Sequence, residues 1–273
     1  MRNISKEELN KILKEHELWL KREGGKRADL INADLRYTNL SYADLRHADL
    51  IYANLRYVDL SNTNLSDANL RHADLSNADL SNANLRRANL ARANLQDADL
   101  VRADISNVDL SNANLQYTDL KRADLSYSNL KYADLRYTNL SDTNLRCADL
   151  RYANLEYVKT NIHTIGYNLA CPEEGSFIGY KKANECIVKL LILEDSKRSS
   201  ATSVKCRCDK AKVLEIENIK TGEKLKEIRS NYDNNFIYRV GEIVTVSNFD
   251  NDRWNECSTG IHFFVNKDNA IKY

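Results

Sequence analysis

Four side chains near the C-terminal end, Cys206, Cys208, Cys257 and His262, are of the types that hold zinc in a tetrahedral shell. Their spacing, C-x-C followed far downstream by C-x4-H, is not one of the strong zinc patterns. The alternation of Val204, Cys206 and Cys208 equally suits a strand whose small sulfur side chains face a core. Cys206 or Cys257 with His262 or His163 would also supply a nucleophile and a base. No third orienting group and no oxyanion feature stands beside them. The run from Arg198 through Ser199, Ser200, Thr202 and Ser203 to Lys205 and Arg207 offers hydroxyls and cations to a phosphate or nucleotide. It lacks the glycines of a phosphate loop. The candidate ligand pocket is therefore Arg198, Ser199, Lys205 and His262. A nucleotide-using or other enzymatic activity is left open there, a non-enzymatic role is expected, and no catalytic residue, metal or cofactor is assigned.

Charge narrows the partners. The 273 residues carry 40 Lys+Arg against 39 Asp+Glu. That is not the basic excess phosphate-backbone binding needs, so nucleic acid is not the expected partner. No run of about 18 apolar residues spans a membrane. The charged start, MRNISKEELNK, lacks the apolar core of a secretory signal. Six cysteines without framework spacing agree with a reduced, cytoplasmic location.

The elements that must position any site begin with Ala28 to Leu155. Leucine recurs there at every fifth position, from Leu30 through Leu85 and Leu90 to Leu155, with Ile105 the one substitution. The preceding residue is always Asp or Asn, and the one before that is nearly always Ala. Five residues on an α-helix advance 140° net, which would spiral the leucines over all faces. A flat strand would swap them between faces. A short strand with a corner in each pentad fits: Ala and Leu inward, Asp/Asn outward between them, the two variable residues turning the corner. Sorted by twenty residues, Ala33, Ala53, Ala73, Ala93, Ala113, Ala133 and Ala153 form one pure column. Tyr37, Tyr57, Tyr117, Tyr137 and Tyr157 fall in another. A fifteen-residue sort scatters both, so four pentads per coil are expected.

The unbroken A-[D/N]-L-x-x tandem resembles the pentapeptide-repeat family. The resemblance implies a mainly β fold, a right-handed quadrilateral β-helix. It also implies a possible DNA-mimic role, since some relatives bind gyrase. Mimicry needs a strong negative field. Here Arg and Lys at the corners, from Arg36 through Arg151, outnumber Asp67, Asp97, Asp142 and Glu156 and offset the acidic row.

Residues 1–25 read as an amphipathic capping helix. Ser5 and Glu8 form a capping box, Trp19 lies on the apolar face, and Gly24-Gly25 supplies the stop. Residues 26–159 are the repeats. Residues 160–273 read as a small α+β domain with strands at Ile187–Leu193, Val213–Ile219, Phe236–Val240, Ile243–Val246 and Ile261–Val265. Asn266 would cap a final helix from Lys267 to Lys272. The stretches Ser199–Cys208 and Glu256–Phe264 resemble a module of bacterial and phage pentapeptide-repeat proteins, and this implies no activity. The tyrosines either stack on one another along the coil or, at Tyr117, Tyr137 and Tyr157, form an interface with the C-terminal domain or a second chain. The function expected is a non-enzymatic scaffold whose partner is another protein, with a homodimer possible.

Overall fold

In a typical interior pentad each backbone N–H finds an acceptor in the computed structural model, which describes residues 1–233 and 235–273. The pentad beginning at Ala78 shows how. The N–H of Ala78 donates to Leu75 O across the corner at 3.0 Å, and that of Asp79 donates to Val58 O of the preceding coil at 3.0 Å. Leu80 and Asn82 donate forward, to Asp99 O at 2.7 Å and Val101 O at 2.9 Å. The fifth N–H, that of Ser81, has no carbonyl in reach and donates to Oδ1 of Asp79 at 2.8 Å. The same side-chain acceptor recurs at Asp29, Asn39, Asp59, Asp99, Asn114 and Glu156's partner Asn154. This is an Asx turn, and it explains why only Asp or Asn occupies that row: both carry a short acceptor that reaches two residues ahead.

The ladder is parallel with a twenty-residue register, Asp29 with Asp49, Asp34 with Asn54, and so on to Asp134 with Asn154. Each coil is therefore four pentads. Leu30 through Leu150, Ile105 included, are at most 2% exposed and fill the centre. Leu155, in the last pentad, is half-buried. Where Thr or Ser replaces Ala beyond the first coil, its buried hydroxyl donates to a leucine or isoleucine carbonyl of the preceding coil: Thr63 to Leu40, Thr118 to Leu95, Ser128 to Ile105. Asn side chains also bridge coils along the Asx row, as from Asn94 to Asp74 at 3.0 Å and Asn129 to Asp109 at 3.0 Å.

The second corner residue of each pentad is left-handed, with φ between 54° at Asn32 and 63° at His47. Ten of these positions are tyrosine, from Tyr37 to Tyr157. A left-handed non-glycine residue costs roughly 1–2 kcal/mol. Its N–H bond to the next coil and the side-chain stacking described below offset that cost.

Ahead of the repeats, β1 (Arg2–Asn3) pairs in parallel with β2 (Ala33–Asp34). The helix α1 spans Lys6–Lys21, with Ser5 Oγ accepting from the Glu8 N–H. Arg22, not the glycine pair, takes the left-handed C-cap. Gly25 instead allows the chain to fold back on α1, since a Cβ there would sit 2.2 Å from Glu15 O. His16 is fully buried and its Nδ1 accepts from the Ala28 N–H at 3.0 Å. Trp19 stacks on His16 at 5.6 Å and meets His47 edge-on at 6.1 Å.

His16 should make this end of the coil acid-sensitive. Burial holds its imidazole below the ordinary histidine range, so the unfolded chain binds a proton that the folded one does not. Stability is then greatest above about pH 6.5 and falls as pH drops from there toward the lowered native value. Amide exchange in α1 should accelerate over that window, and His16→Phe should remove the dependence. Equal acid sensitivity in both proteins would discount His16.

The chain divides into two compact units, Met1–Tyr167 and Asn168–Tyr273. The second is mainly β. Its four-stranded antiparallel sheet runs β10 (Ile243–Thr245), β7 (Lys210–Asn218), β4 (Cys186–Ile192), β3 (Phe177–Ala183). A three-stranded sheet runs β11 (Ile261–Phe263), β6 (Cys206–Cys208), β5 (Arg198–Ser200), and β8 (Glu227–Arg229) pairs with β9 (Ile237–Arg239). Val188, Leu190, Ile192, Val213, Ile216, Tyr238 and Phe263 form the core. The helix α2 spans Lys267–Lys272, capped by Asn266, and its Ala270 packs with Ile187 and Phe264. Gly179 lies against Phe263, where a Cβ would be 2.7 Å from the ring.

Candidate functional site

In the coil, chemistry-bearing groups are confined to the outside, because leucine and alanine fill the inside. Part of the acidic row is paired with corner cations. Arg36, Arg46, Arg136 and Arg151 each lie 2.6–2.7 Å from Asp34, Asp44, Asp134 and Asp149. The guanidiniums hold these carboxyls below the usual carboxylate range through side-chain hydrogen bonds; at the more buried Asp44 and Asp149 they act against a larger opposing effect of desolvation. Outside this row the tyrosines are the main feature. Tyr137 is stacked between Tyr117 at 4.9 Å and Tyr157 at 5.0 Å, with ring planes within 9°. Tyr37 stacks on Tyr57, Tyr132 on Tyr152, and Tyr52 on His72. Tyr117, Tyr137 and Tyr157 stay 51%, 46% and 73% exposed.

In the C-terminal unit, strand register decides what can meet. Cys206 pairs with Phe263, Arg207 with His262, and Cys208 with Ile261. Residues paired across an antiparallel ladder share a face, and neighbours along a strand alternate. Cys206 and Cys208 therefore face the core, while His262 lies on the other face with Arg207. The zinc quartet cannot close around one ion, and no group of three potential ligands occurs among the described residues. Burial pushes the thiols of Cys206 and Cys208 up, for Cys206 after the larger effect of its contact with Cys171, and so disfavours thiolates.

The four residues of the expected pocket are divided between two clefts. Lys205 and His262 line the larger, of about 730 Å³, and Arg198 and Ser199 line the smaller. Arg207 lies between His262 and Ser199 in the three-stranded sheet, paired across the ladders with both. Its guanidinium, 1% exposed, donates to the carbonyls of Asp250, Thr259 and Asp252 at 2.7–2.9 Å. Arg198 is likewise committed to carbonyls, those of Pro172, Gly175, Leu193 and Glu194.

The larger cleft contains a residue that sequence reasoning missed. Lys181, in β3, is 8% exposed and lies on the same strand face as Gly179 and Ala183. The alternation Gly-x-Lys-x-Ala was the available signal. Burial, and next the charge of Lys205, push its ammonium down to about 8. His262 is pushed down to about 4 by burial and by Lys205 and Lys181, so it is neutral at pH 7. Its Nε2 is 3.1 Å from the Glu256 carbonyl, an acceptor only, which places the proton on Nε2.

The geometry defines a class first: a parallel β-helix of twenty-residue coils, followed by a mainly β module. The repeat region belongs to the pentapeptide-repeat family, matched as "Pentapeptide repeats (8 copies)" at residues 28–67, 68–107, 103–142 and 123–158. Residues 167–270 match "Family of unknown function (DUF5758)". No curated protein matches the chain. Among solved structures the chain is similar to HetL, a pentapeptide repeat protein involved in heterocyst differentiation regulation from the cyanobacterium Nostoc sp. strain PCC 7120. That likeness has 24% identity, covers 58% of this chain and 95% of HetL, and has a TM-score of 0.28. It is also similar to Rfr23 of the cyanobacterium Cyanothece 51142, at 25% identity over 57% of this chain and 96% of that one, with a TM-score of 0.33. QnrB1, a plasmid-mediated fluoroquinolone resistance protein, matches at 18% identity over 50% of this chain and 87% of its own, with a TM-score of 0.21. At these TM-scores none of the three decides an activity.

Proposed function

We propose that the protein is a non-enzymatic scaffold whose right-handed, four-sided coil, capped by α1, engages another protein through its tyrosine column. The observation that carries this reading is the stack of Tyr117, Tyr137 and Tyr157, held ring on ring yet half or more exposed at two of its three members. Stacking fixes the rings before any partner arrives, which lowers the ordering cost of binding. Tyrosine also buries a ring while keeping its hydroxyl wet. The corner cations favour this reading over DNA mimicry, because they offset the charge of the Asx row and pair directly with part of it, at Asp34, Asp44, Asp134 and Asp149. Six free cysteines support a reducing, cytoplasmic setting.

The first partner to test is a second copy of the chain. Tyr137→Ala removes the middle ring and should shift the full-length protein toward the monomer in sedimentation, with its melting temperature little changed. A sedimentation profile identical to that of the parent protein would remove the tyrosine column from the reading.

A further inference from the structure

Lys181 is a cation without an anion. It is more than nine-tenths buried. Its nearest favourable contact is the Tyr232 ring, 5.9 Å from the ammonium, and no carboxylate pairs with it among the described residues. The neighbouring Lys205 does not relieve it and adds repulsion. Burial opposes the charge of Lys205, but Tyr273 Oη at 3.3 Å, Glu256 Oε2 at 4.0 Å and Cys257 Sγ at 3.7 Å together outweigh it and hold this ammonium above the ordinary lysine range. A buried, unpaired ammonium beside a second, charged one is costly in an empty protein. Both would be stabilised by a ligand that brings two negative charges.

Most of the rest of the lining fits such a ligand, Asp233 being the one carboxylate on it among the described residues. Ser230, Thr245, Ser247, Ser258 and Thr259 supply hydroxyls, and Tyr232, Phe236 and Tyr238 supply aromatic surface. The cleft, about 730 Å³, is of ordinary size for a small-molecule site. Arg207, whose planar fork would favour carboxylate recognition, is already taken up by three carbonyls. The available cations are lysines, which act as point charges and suit a phosphate. Neutral His262 adds a polar group and no charge.

We infer that the cleft between Lys181 and Lys205 binds the dianionic phosphate group of a small molecule. The site is independent of the tyrosine column. The ligand is either inorganic phosphate or a phosphate monoester with a ring to lay on the aromatic wall.

The test is made on the full chain by brief acetylation with acetic anhydride near pH 8, followed by mass spectrometry. Modification of Lys181 is compared with that of exposed Lys11. Phosphate should protect Lys181 and leave Lys11 unaffected. Inorganic phosphate, adenosine monophosphate, adenosine and succinate are the four probes. Protection by inorganic phosphate and the monophosphate alike assigns free phosphate as a sufficient ligand. Protection by the monophosphate alone assigns a monoester. Absence of protection by both overturns the inference, as does equal protection by adenosine or succinate. Direct titration then uses K181M and K205M. Each should weaken binding of the protecting phosphate about tenfold or more, and unchanged affinity in both would overturn the assignment. The acetylation result on the unsubstituted protein stands even if a variant folds poorly.

Discussion

Leu90→Arg is expected to prevent the repeat region from folding. Leu90 is 1% exposed, at the middle of a column in which every neighbour is also leucine. A guanidinium there has no carboxylate to meet and no route to water, since the coil interior holds the leucine column, with Ile105, and a row of mostly alanine. The penalty for an unpaired buried charge runs to several kcal/mol, and the overpacked side chain adds about 1–3 kcal/mol. Together these are comparable with the whole stability of an ordinary domain, about 5–15 kcal/mol. Leu90→Ala is the graded companion. It leaves a cavity and should cost about 2–5 kcal/mol, lowering the melting temperature without abolishing the cooperative transition. Arg87→Ala, at an exposed left-handed corner three residues away, should change little. Circular dichroism and thermal melts on the three variants form the check. A Leu90→Arg protein with a β spectrum and a transition near the parent's would mean that the leucine column does not hold the coil together.

The graded series also marks what could be read before any coordinates. Leucine at every fifth residue and the twenty-residue Ala column are statements about side-chain direction, and direction is what periodicity encodes. The coil and its register were legible for that reason. So was α2, whose Asn266 cap and Lys267 start are local signals. The left-handed corner was overlooked, although it left a trace: β-branched Ile31, Ile51 and Val101 occupy the first corner position, and none occupies the second. A β-branched side chain is the type least tolerant of positive φ. The Asx turn was hidden because an outward Asp reads as solvated until its acceptor role is seen.

In the C-terminal unit the misses are of another kind. β3 carries Gly179, Tyr180, Lys181 and Lys182, too polar to read as a core strand, and Lys181 went unnoticed with it. The zinc alternative and the four-residue pocket both depended on register, which spacing does not give. Sequence spacing showed that Cys206 and His262 could be brought near one another. It could not show that their strands would pair Cys206 with Phe263 and turn His262 to the opposite face.

Arg207 stands between residues of the two clefts, and its replacement should have the second large effect. Three carbonyls of the segment from Asp250 to Thr259 depend on one guanidinium, which also lies over the Phe249 ring at 5.1 Å. Hydrogen bonds to a charged donor contribute about 1.5–3 kcal/mol each. The cost of burying the guanidinium opposes them, and its Nε has no hydrogen-bond partner among the described residues. Burial also pushes this guanidinium below the ordinary arginine range. Arg207→Met keeps much of the volume and removes every donor. The balance predicts a loss of about 2–4 kcal/mol, confined to the second unit, with fast amide exchange and new protease cleavage between residues 249 and 260. Exchange across residues 28–158 should be unchanged. Arg207→Lys retains the charge but loses the fork, and should recover only part of the protection. Because Arg207 stands between His262 and Ser199, the two clefts should also become continuous in the methionine variant. Full protection of residues 249–260 in Arg207→Met would show that the segment is held by other contacts, among them the bond from Asn255 to Asp250 at 2.9 Å, and that the wall between the clefts does not depend on this side chain.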